Sequence, residues 1–342
     1  MSHDAGGHTA LFTEPSTPTL RVTCRPLAHV SSGPYERLVG RSFFASAGFL
    51  DLWRTMGGRP VVWQAEIDGA LIAVLPGVEY GVPPILRFAS LPDGCYGGLF
   101  VDPELRFRRA EIGRAILDTI AARRYAKTSV FDFRATLAPH HGFDTEPCES
   151  RLVYISDPDW QPPDPCLRSE IRKADRNHLH IVPFDRALHE RPFLDLVTAT
   201  ARRHGQKVRY RPRFFQVLAD LALRDSRVRW LFCAHEGLPV ASHIYFVEHD
   251  TLQFWQSYYD KTFSSLKANQ YMMFTLCREM AHRGVRWLNL GSTPPGAAGL
   301  EYFKSHWGGS LRHFRRYSRW EGLGALLHRR QGARAAQDPQ LA

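Results

Sequence analysis

Hydrophobic and polar positions along this 342-residue chain fall into two stretches that repeat the same order of elements. In the first, alternation over Val61–Ile67 predicts a strand, Asp68-Gly69 a tight turn, and Ala70–Val78 a returning strand. A loop from Leu91 containing Gly94, Gly97 and Gly98 leads to a helix over roughly Glu104–Arg123, then a strand over Val130–Arg134. In the second stretch, strands are expected at Val228–Ala234, Leu238–Glu248 and Thr251–Tyr259, with His235-Glu236-Gly237 as the first turn. A helix over Ala268–Arg283 and a strand over Val285–Gly291 complete it.

Each stretch is a meander of antiparallel strands followed by a helix and a further strand, so the chain reads as an α+β unit present twice. The Pro-rich run from Ser156 to Pro165 is the natural boundary. It divides a domain at 19–160 from one at 161–324 that carries the transfer site, with disordered tails expected at 1–18 and 325–342. The second half opens with a helix from Leu167, and Arg168, Arg172 and Arg176 recur on one of its faces.

Composition narrows the class. Hydrophobic residues make up 44% and charged residues 23%, a globular balance. No run approaches the twenty or so apolar residues that cross a bilayer, and the first residues lack a basic-then-apolar secretion pattern. Contact with a membrane surface stays open. The six cysteines are scattered without metal-ligand or disulfide spacing, which fits a reducing, cytoplasmic setting. A formal charge of +10 favours polyanionic partners such as RNA or a phosphorylated donor, and a GC-rich, Arg-rich genome gives the same surplus without any such role.

Candidate chemistry concentrates between Thr251 and Gly309. A strand ending in Tyr258-Tyr259-Asp260 runs through a polar loop into a helix starting near Lys267-Ala268-Asn269, and free N–H groups at a helix start can hold a phosphate or an oxyanion. The next strand closes at Gly291-Ser292, and a Gly/Pro loop precedes Glu301, Phe303, Lys304, His306, Trp307 and Gly308.

This order, with Phe303-Lys304-x-x-Trp307-Gly308, resembles the C-terminal half of FemABX-type transferases, relatives of the GNAT acyltransferases. The basic segment Leu167–Ala174 and Tyr96-Gly97-Gly98 ahead of Val101-Asp102-Pro103 resemble theirs too, so the likeness spans most of residues 40–320. It implies two tandem GNAT-like domains, each a mixed, mostly antiparallel sheet flanked by helices. It also implies amide formation between an activated acyl group and an amine. The donor is then a charged tRNA, as in FemABX enzymes, or acyl-CoA, as in other GNAT relatives, with no permanently bound cofactor. The loop Lys261–Asn269 contains no glycine, whereas CoA-binding relatives use a Gly-rich loop to bring backbone N–H groups against the pyrophosphate. That favours charged tRNA.

The expected site follows. Lys304 or backbone N–H groups at the start of the Ala268 helix, converging on one hollow, stabilise the oxyanion, and Asp260, Glu301 and His306 are candidate bases. Tyr96, Tyr258, Tyr259, Lys267, Asn269, Ser292, Trp307, Arg168 and Arg172 contact substrates. Phe43, Phe44, Trp53 and Arg87 are added as plausible lining for the acceptor. Each residue also has a plain structural reading. Phe303 and Trp307 suit core anchors, Lys304 a solvated lysine, and the Arg168 stripe an exposed helix face. A second basic segment, Arg202 to Arg213 with Tyr210 and Phe214-Phe215, suits either base stacking or a helix start. No SDN or KTG element accompanies Ser264-x-x-Lys267, and HExxH, GxGxxG and GxxxxGK[ST] are absent. Two alternatives remain beside aminoacyl transfer. One is acyl-CoA-dependent N-acylation of a sugar, lipid-linked or small amine; the other is a non-catalytic RNA-binding protein on a transferase scaffold.

Overall fold

The computed structural model describes residues 19–328 except Asp93, Gly94 and Pro295. The expected 1–18 leader and all but the first residues of the expected 325–342 tail lie outside that range, as does the Gly94 of the first glycine loop.

The N-terminal lobe contains β1 (Leu20–Pro26), α1 (Ser32–Val39), α2 (Ala47–Leu52), β2 (Gly58–Ile67), β3 (Ala70–Tyr80), β4 (Arg87–Ser90) and β5 (Phe100–Val101). It continues with α3 (Arg109–Ala122), β6 (Lys127–Asp132) and β7 (Asp144–Tyr154). The C-terminal lobe holds α4 (Pro165–Asp175), β8 (His180–Pro183), α5 (Arg186–Arg203), α6 (Pro212–Arg224), β9 (Val228–His235), β10 (Leu238–Glu248) and β11 (Thr251–Tyr259). After these come α7 (Ala268–His282), β12 (Trp287–Asn289), α8 (Ala298–Ser305) and β13 (Ser310–Trp320). The α+β architecture expected from the element order is therefore present.

The repeat is visible in the turns. The β2–β3 hairpin turns on Asp68 and Gly69, both at positive φ, and β9–β10 turns on Glu236 and Gly237, again both positive. Two left-handed residues twist a two-residue loop in the sense that adjacent strands require. Helix α4 starts where Asp164 accepts from the Leu167 N–H at 2.9 Å and Pro165 occupies the first turn. It buries Leu167, Ile171 and Ala174 along one face.

Sheet order shows how the halves join. Among the described residues the strands run β1-β2-β3-β4-β6-β13-β7-β12-β11-β10-β9-β8. In each lobe the last two strands of the meander lie parallel, β4 with β6 and β11 with β12. The neighbour that follows comes from the other side of the chain's midpoint. β13 pairs with β6, β7 pairs with β12, and β7 and β13 pair with each other from Ser310↔Leu152 to Ser318↔Asp144. The boundary expected near 160 thus separates the chain but not the sheet, because the C-terminal half returns a strand to the N-terminal lobe.

Four local expectations are corrected. The helix expected from Glu104 begins at Arg109 after a tighter turn over Pro103–Arg108, which Asp102 caps. The strand at Val130–Arg134 is displaced to Lys127–Asp132, and the one at Val285–Gly291 shortens to Trp287–Asn289. Residues 322–328 form a helix, inside the stretch expected as tail.

An aromatic core fills the junction. Phe43, Phe44, Phe49 and Trp53 from one lobe meet Phe214 and Phe246 from the other, all essentially buried. Phe43 stacks on Phe246 with centroids 5.0 Å apart. Beside it, the buried Glu248 carboxylate accepts from Phe43 N–H at 2.7 Å, Phe44 N–H at 3.2 Å and Ser42 Oγ at 2.9 Å. Arg134 approaches it at 2.7 Å. A buried charge so surrounded fixes the two lobes against each other. Phe43, Phe44 and Trp53, expected to line an acceptor cleft, are consumed in this packing.

Candidate active site

A cavity of about 910 Å³ opens at the seam between the lobes. It exists because β11 and β12 part company. Their parallel pairing covers only Thr251↔Trp287 to Gln253↔Asn289, after which β11 continues to Tyr259 paired with β10 alone. Trp255 forms a bulge there, where the β10 register jumps from Phe254 to Gln256. Gln253, Phe254 and Trp255 therefore face Leu290–Pro294 across a gap. The central strands supply the floor: Phe131 and Phe133 of the β6 region, Pro147 to Ser150 of β7, and His313, Phe314 and Arg316 of β13.

A buried polar chain ties this floor together. Tyr96, from the first lobe's glycine loop, donates its hydroxyl to Gln253 Oε1 and accepts from Asn289 Nδ2, and Ser150 Oγ donates to Asn289 Oδ1. Asn289 Oδ1 also accepts from the Gly291 N–H at 2.8 Å. The Tyr96 ring lies flat on Phe133 with centroids 3.8 Å apart, and the Arg312 guanidinium sits 4.8 Å above the other partner's centroid, Phe133. Burial, with the Glu248 charge adding, pushes the Tyr96 hydroxyl well above its ordinary value, so it stays protonated.

Lys304 lines the same cavity and is 3% exposed. Its Nζ donates to the carbonyls of Gly291 at 3.0 Å and Ser292 at 2.8 Å, so the ammonium is held at the mouth of the β11–β12 gap. Burial, with Arg151 adding and Glu301 opposing, lowers it to about 8. The arrangement can place a positive charge against an oxygen that turns anionic in the gap.

The expected site residues separate into two groups. Lys304, Ser292 and Tyr96 meet at the cavity, with Arg209 of the second basic segment. The others do not line it. Glu301 is held by Arg151 at 2.5 Å and Thr293 at 2.9 Å, and these contacts keep its carboxyl below the ordinary range, which makes it a poor base. Asp260 caps a turn, accepting from Thr262 N–H at 2.9 Å. His306 donates from Nδ1 to Tyr302 O at 2.6 Å, with Nε2 3.5 Å from Asp164. Tyr258 packs edge-on against Phe193 and Phe215, and Tyr259 lies 4.1 Å under the Arg203 guanidinium. Asn269 Oδ1 accepts from His243 Nε2 at 2.8 Å; burial lowers that imidazole to about 4, so it is neutral at pH 7. Trp307 is fully buried and stacks on Trp160. Arg168 bonds the Pro162 and Pro163 carbonyls, and Arg172 is exposed on α4.

The start of α7 is likewise away from the cavity. None of residues 261–269 lines it, and Lys267 pairs with Glu170 of α4 at 2.6 Å while Gln270 donates to the same carboxylate at 3.2 Å. The expected convergence of the Ala268 amides with Lys304 is corrected accordingly. Ser150, Gln253 and Asn289 were missed. Their signal was polarity inside otherwise apolar strands, Thr-Leu-Gln253-Phe-Trp and Trp-Leu-Asn289-Leu. Among the described residues no three His, Cys, Asp or Glu side chains gather as a metal site requires.

Residues 166–305 match the acetyltransferase (GNAT) domain family. No curated protein matches the sequence. Among solved structures, FemX shares 13% identity with a TM-score of 0.63, over 86% of this chain and 96% of FemX. The C-terminal domain of a putative lysylphosphatidylglycerol synthetase from Agrobacterium fabrum shares 12% with a TM-score of 0.58, over 89% and 96%. A tandem GNAT protein from the clavulanic acid biosynthesis pathway shares 11% with a TM-score of 0.52, over 87% and 98%.

Proposed function

We propose that this chain, an acyltransferase with the tandem fold of the GNAT superfamily, transfers an aminoacyl group from a charged tRNA to an amine. The observation that carries the reading is the Lys304 ammonium held beside the unpaired edge of β11. There, an acyl carbonyl can sit with its oxygen towards a buried positive charge.

The donor ester enters the gap and a neutral acceptor amine attacks its carbonyl carbon. A C–N bond forms and the oxygen becomes an anion facing Lys304. Collapse breaks the ester C–O bond, and the proton lost by the amine nitrogen goes to the departing ribose oxygen. No cavity residue is needed as a strong base, and positioning supplies much of the rate.

Three features favour RNA as the donor's carrier. The loop ahead of α7 has no glycine. The Lys267 ammonium at the helix start is engaged by Glu170, which also accepts from Gln270, so the local cation is already matched where a CoA pyrophosphate would need to bind. The basic segment from Arg202 to Arg213 reaches the cavity through Arg209. The second reading, acyl-CoA as donor, draws on the GNAT domain match and on the unpaired β11 edge, which can hydrogen-bond an extended donor arm. The two separate in one assay: incubate the protein with an amine acceptor and either charged tRNA or acetyl-CoA, and follow amide formation. Consumption of acetyl-CoA alone would overturn the tRNA reading.

A further inference from the structure

At the far end of β6 and β13, a second surface has no part in the transfer chemistry. Residues 322–328 form a helix on which Leu323, Leu326 and Leu327 are each about half exposed, at the spacing that shares one helix face. The helix is seated by Gly324, which lies so close to the Ala126 carbonyl that no side chain could stand in its place. Ala126 in turn donates its N–H to Leu86 O at 2.8 Å, closing the Gly81–Leu86 loop where Val82 and Ile85 are more than half exposed. Five large apolar side chains thus gather around one hydrogen-bonded junction with nothing over them among the described residues.

Cations ring this apolar group. Arg87 and Lys127 are direct partners in the β4–β6 pairing, and Arg124 is exposed one turn before them. The Lys127 ammonium sits 4.4 Å over the Trp320 ring, whose other neighbour is the stacked His328 ring. Burial first, then Arg316 and Arg87, lower the Lys127 ammonium. Of the acids nearby, Glu79 is matched by Arg59 and Arg123, Glu146 by Arg316 and Glu321 by Arg319, while Asp144 is exposed opposite Ser318. Beyond His328 the sequence continues with Arg329 and Arg330.

We infer that this surface docks the protein on an anionic phospholipid bilayer, with the exposed leucines and the Val82–Ile85 loop entering the headgroup boundary and the surrounding Arg and Lys facing lipid phosphates. Apolar area combined with clustered cations is what interfacial binding requires, and neither alone suffices. A neutral protein surface would leave the cations unmatched, and an acidic one would leave the leucines in water. From Trp320 at this surface to Phe314 in the transfer cavity, β13 spans about 20 Å at the strand rise. Docking stands apart from the donor reading, because it is measured without turnover.

The test is co-sedimentation of the full chain with vesicles of phosphatidylcholine alone or with about one-third phosphatidylglycerol. Binding is expected only to the anionic vesicles. It should fall by about tenfold or more in Leu326→Asp/Leu327→Asp and several-fold in Lys127→Gln, and it should weaken with added salt. Circular dichroism and melting on each variant establish that it is folded. Equal binding to neutral vesicles, no binding to anionic ones, or binding that the leucine variant leaves unchanged would overturn the inference. So would a wild-type dimer in solution that the leucine variant converts to a monomer, which assigns the surface to a second copy. Vesicle binding that appears only after residues 329–342 are removed would assign it to the chain's own end.

Discussion

Replacing Lys304 with Met tests the candidate site most directly. The ammonium is buried and titrates near 8 instead of its ordinary 10.5. Below pH 8 the folded protein therefore holds a buried charge; between about 8 and 10.5 it has released a proton that the unfolded chain retains. Stability contributed at this position accordingly rises with pH across that window, by about 2 kcal/mol after allowing for partial solvation. Met removes both the charge and this rise. It also leaves the Gly291 and Ser292 carbonyls without a donor, which costs about 1–3 kcal/mol. The two effects oppose each other at neutral pH, so the variant should melt within a few degrees of the parent. Turnover should nonetheless fall at least tenfold, and towards a hundredfold if the ammonium faces the oxyanion directly. The assay is single-turnover amide formation from about pH 6.5 to 9, corrected for spontaneous donor hydrolysis. In the parent the rate constant should decline as Lys304 loses its proton near 8, superimposed on the rise from amine deprotonation. In the variant that decline should be missing. A variant within twofold of the parent, or one that keeps the descending limb, removes Lys304 from the chemistry.

Tyr96→Phe keeps the stacking on Phe133 but leaves Gln253 and Asn289 without their shared hydroxyl; urea unfolding should show a loss of about 1–3 kcal/mol. Glu248→Ala strips the carboxylate from the Phe43 and Phe44 amides and leaves Arg134 facing the lobe junction. A loss of about 3–5 kcal/mol is expected by the same method, and a loss below 1 would mean the aromatic core alone holds the lobes. Arg209→Ala should weaken tRNA binding and reduce the slope of log affinity against log salt by about one. An unchanged slope would remove Arg209 from the RNA path.

The meanders were legible because each strand alternates and each hairpin turns on an acidic residue followed by glycine, Asp68-Gly69 and Glu236-Gly237, a local code that needs no partner. Lys304 was picked from a short motif, Ser292 from a strand end and Tyr96 from a glycine loop, and the three do meet at one cavity. Asp260 and His306 misled because acids and imidazoles cap and anchor as readily as they catalyse, and the sequence does not say what faces them. Gln253 and Asn289 were hidden by the same rule: a polar residue in an apolar strand has meaning only once its cross-strand neighbour is known. The pairing of β13 with β6 joins residues nearly 200 positions apart, and no local periodicity encodes it.

That exchange sets a limit on how the molecule can be dissected. A fragment cut at the limits of the GNAT match, 166–305, would lack both of the central strands that the halves trade. It would leave one flank of β12 as an open template, ready to recruit any extended chain in reach. That fragment should thus precipitate when expressed alone, yet regain solubility when residues 144–154 are supplied in trans as a peptide.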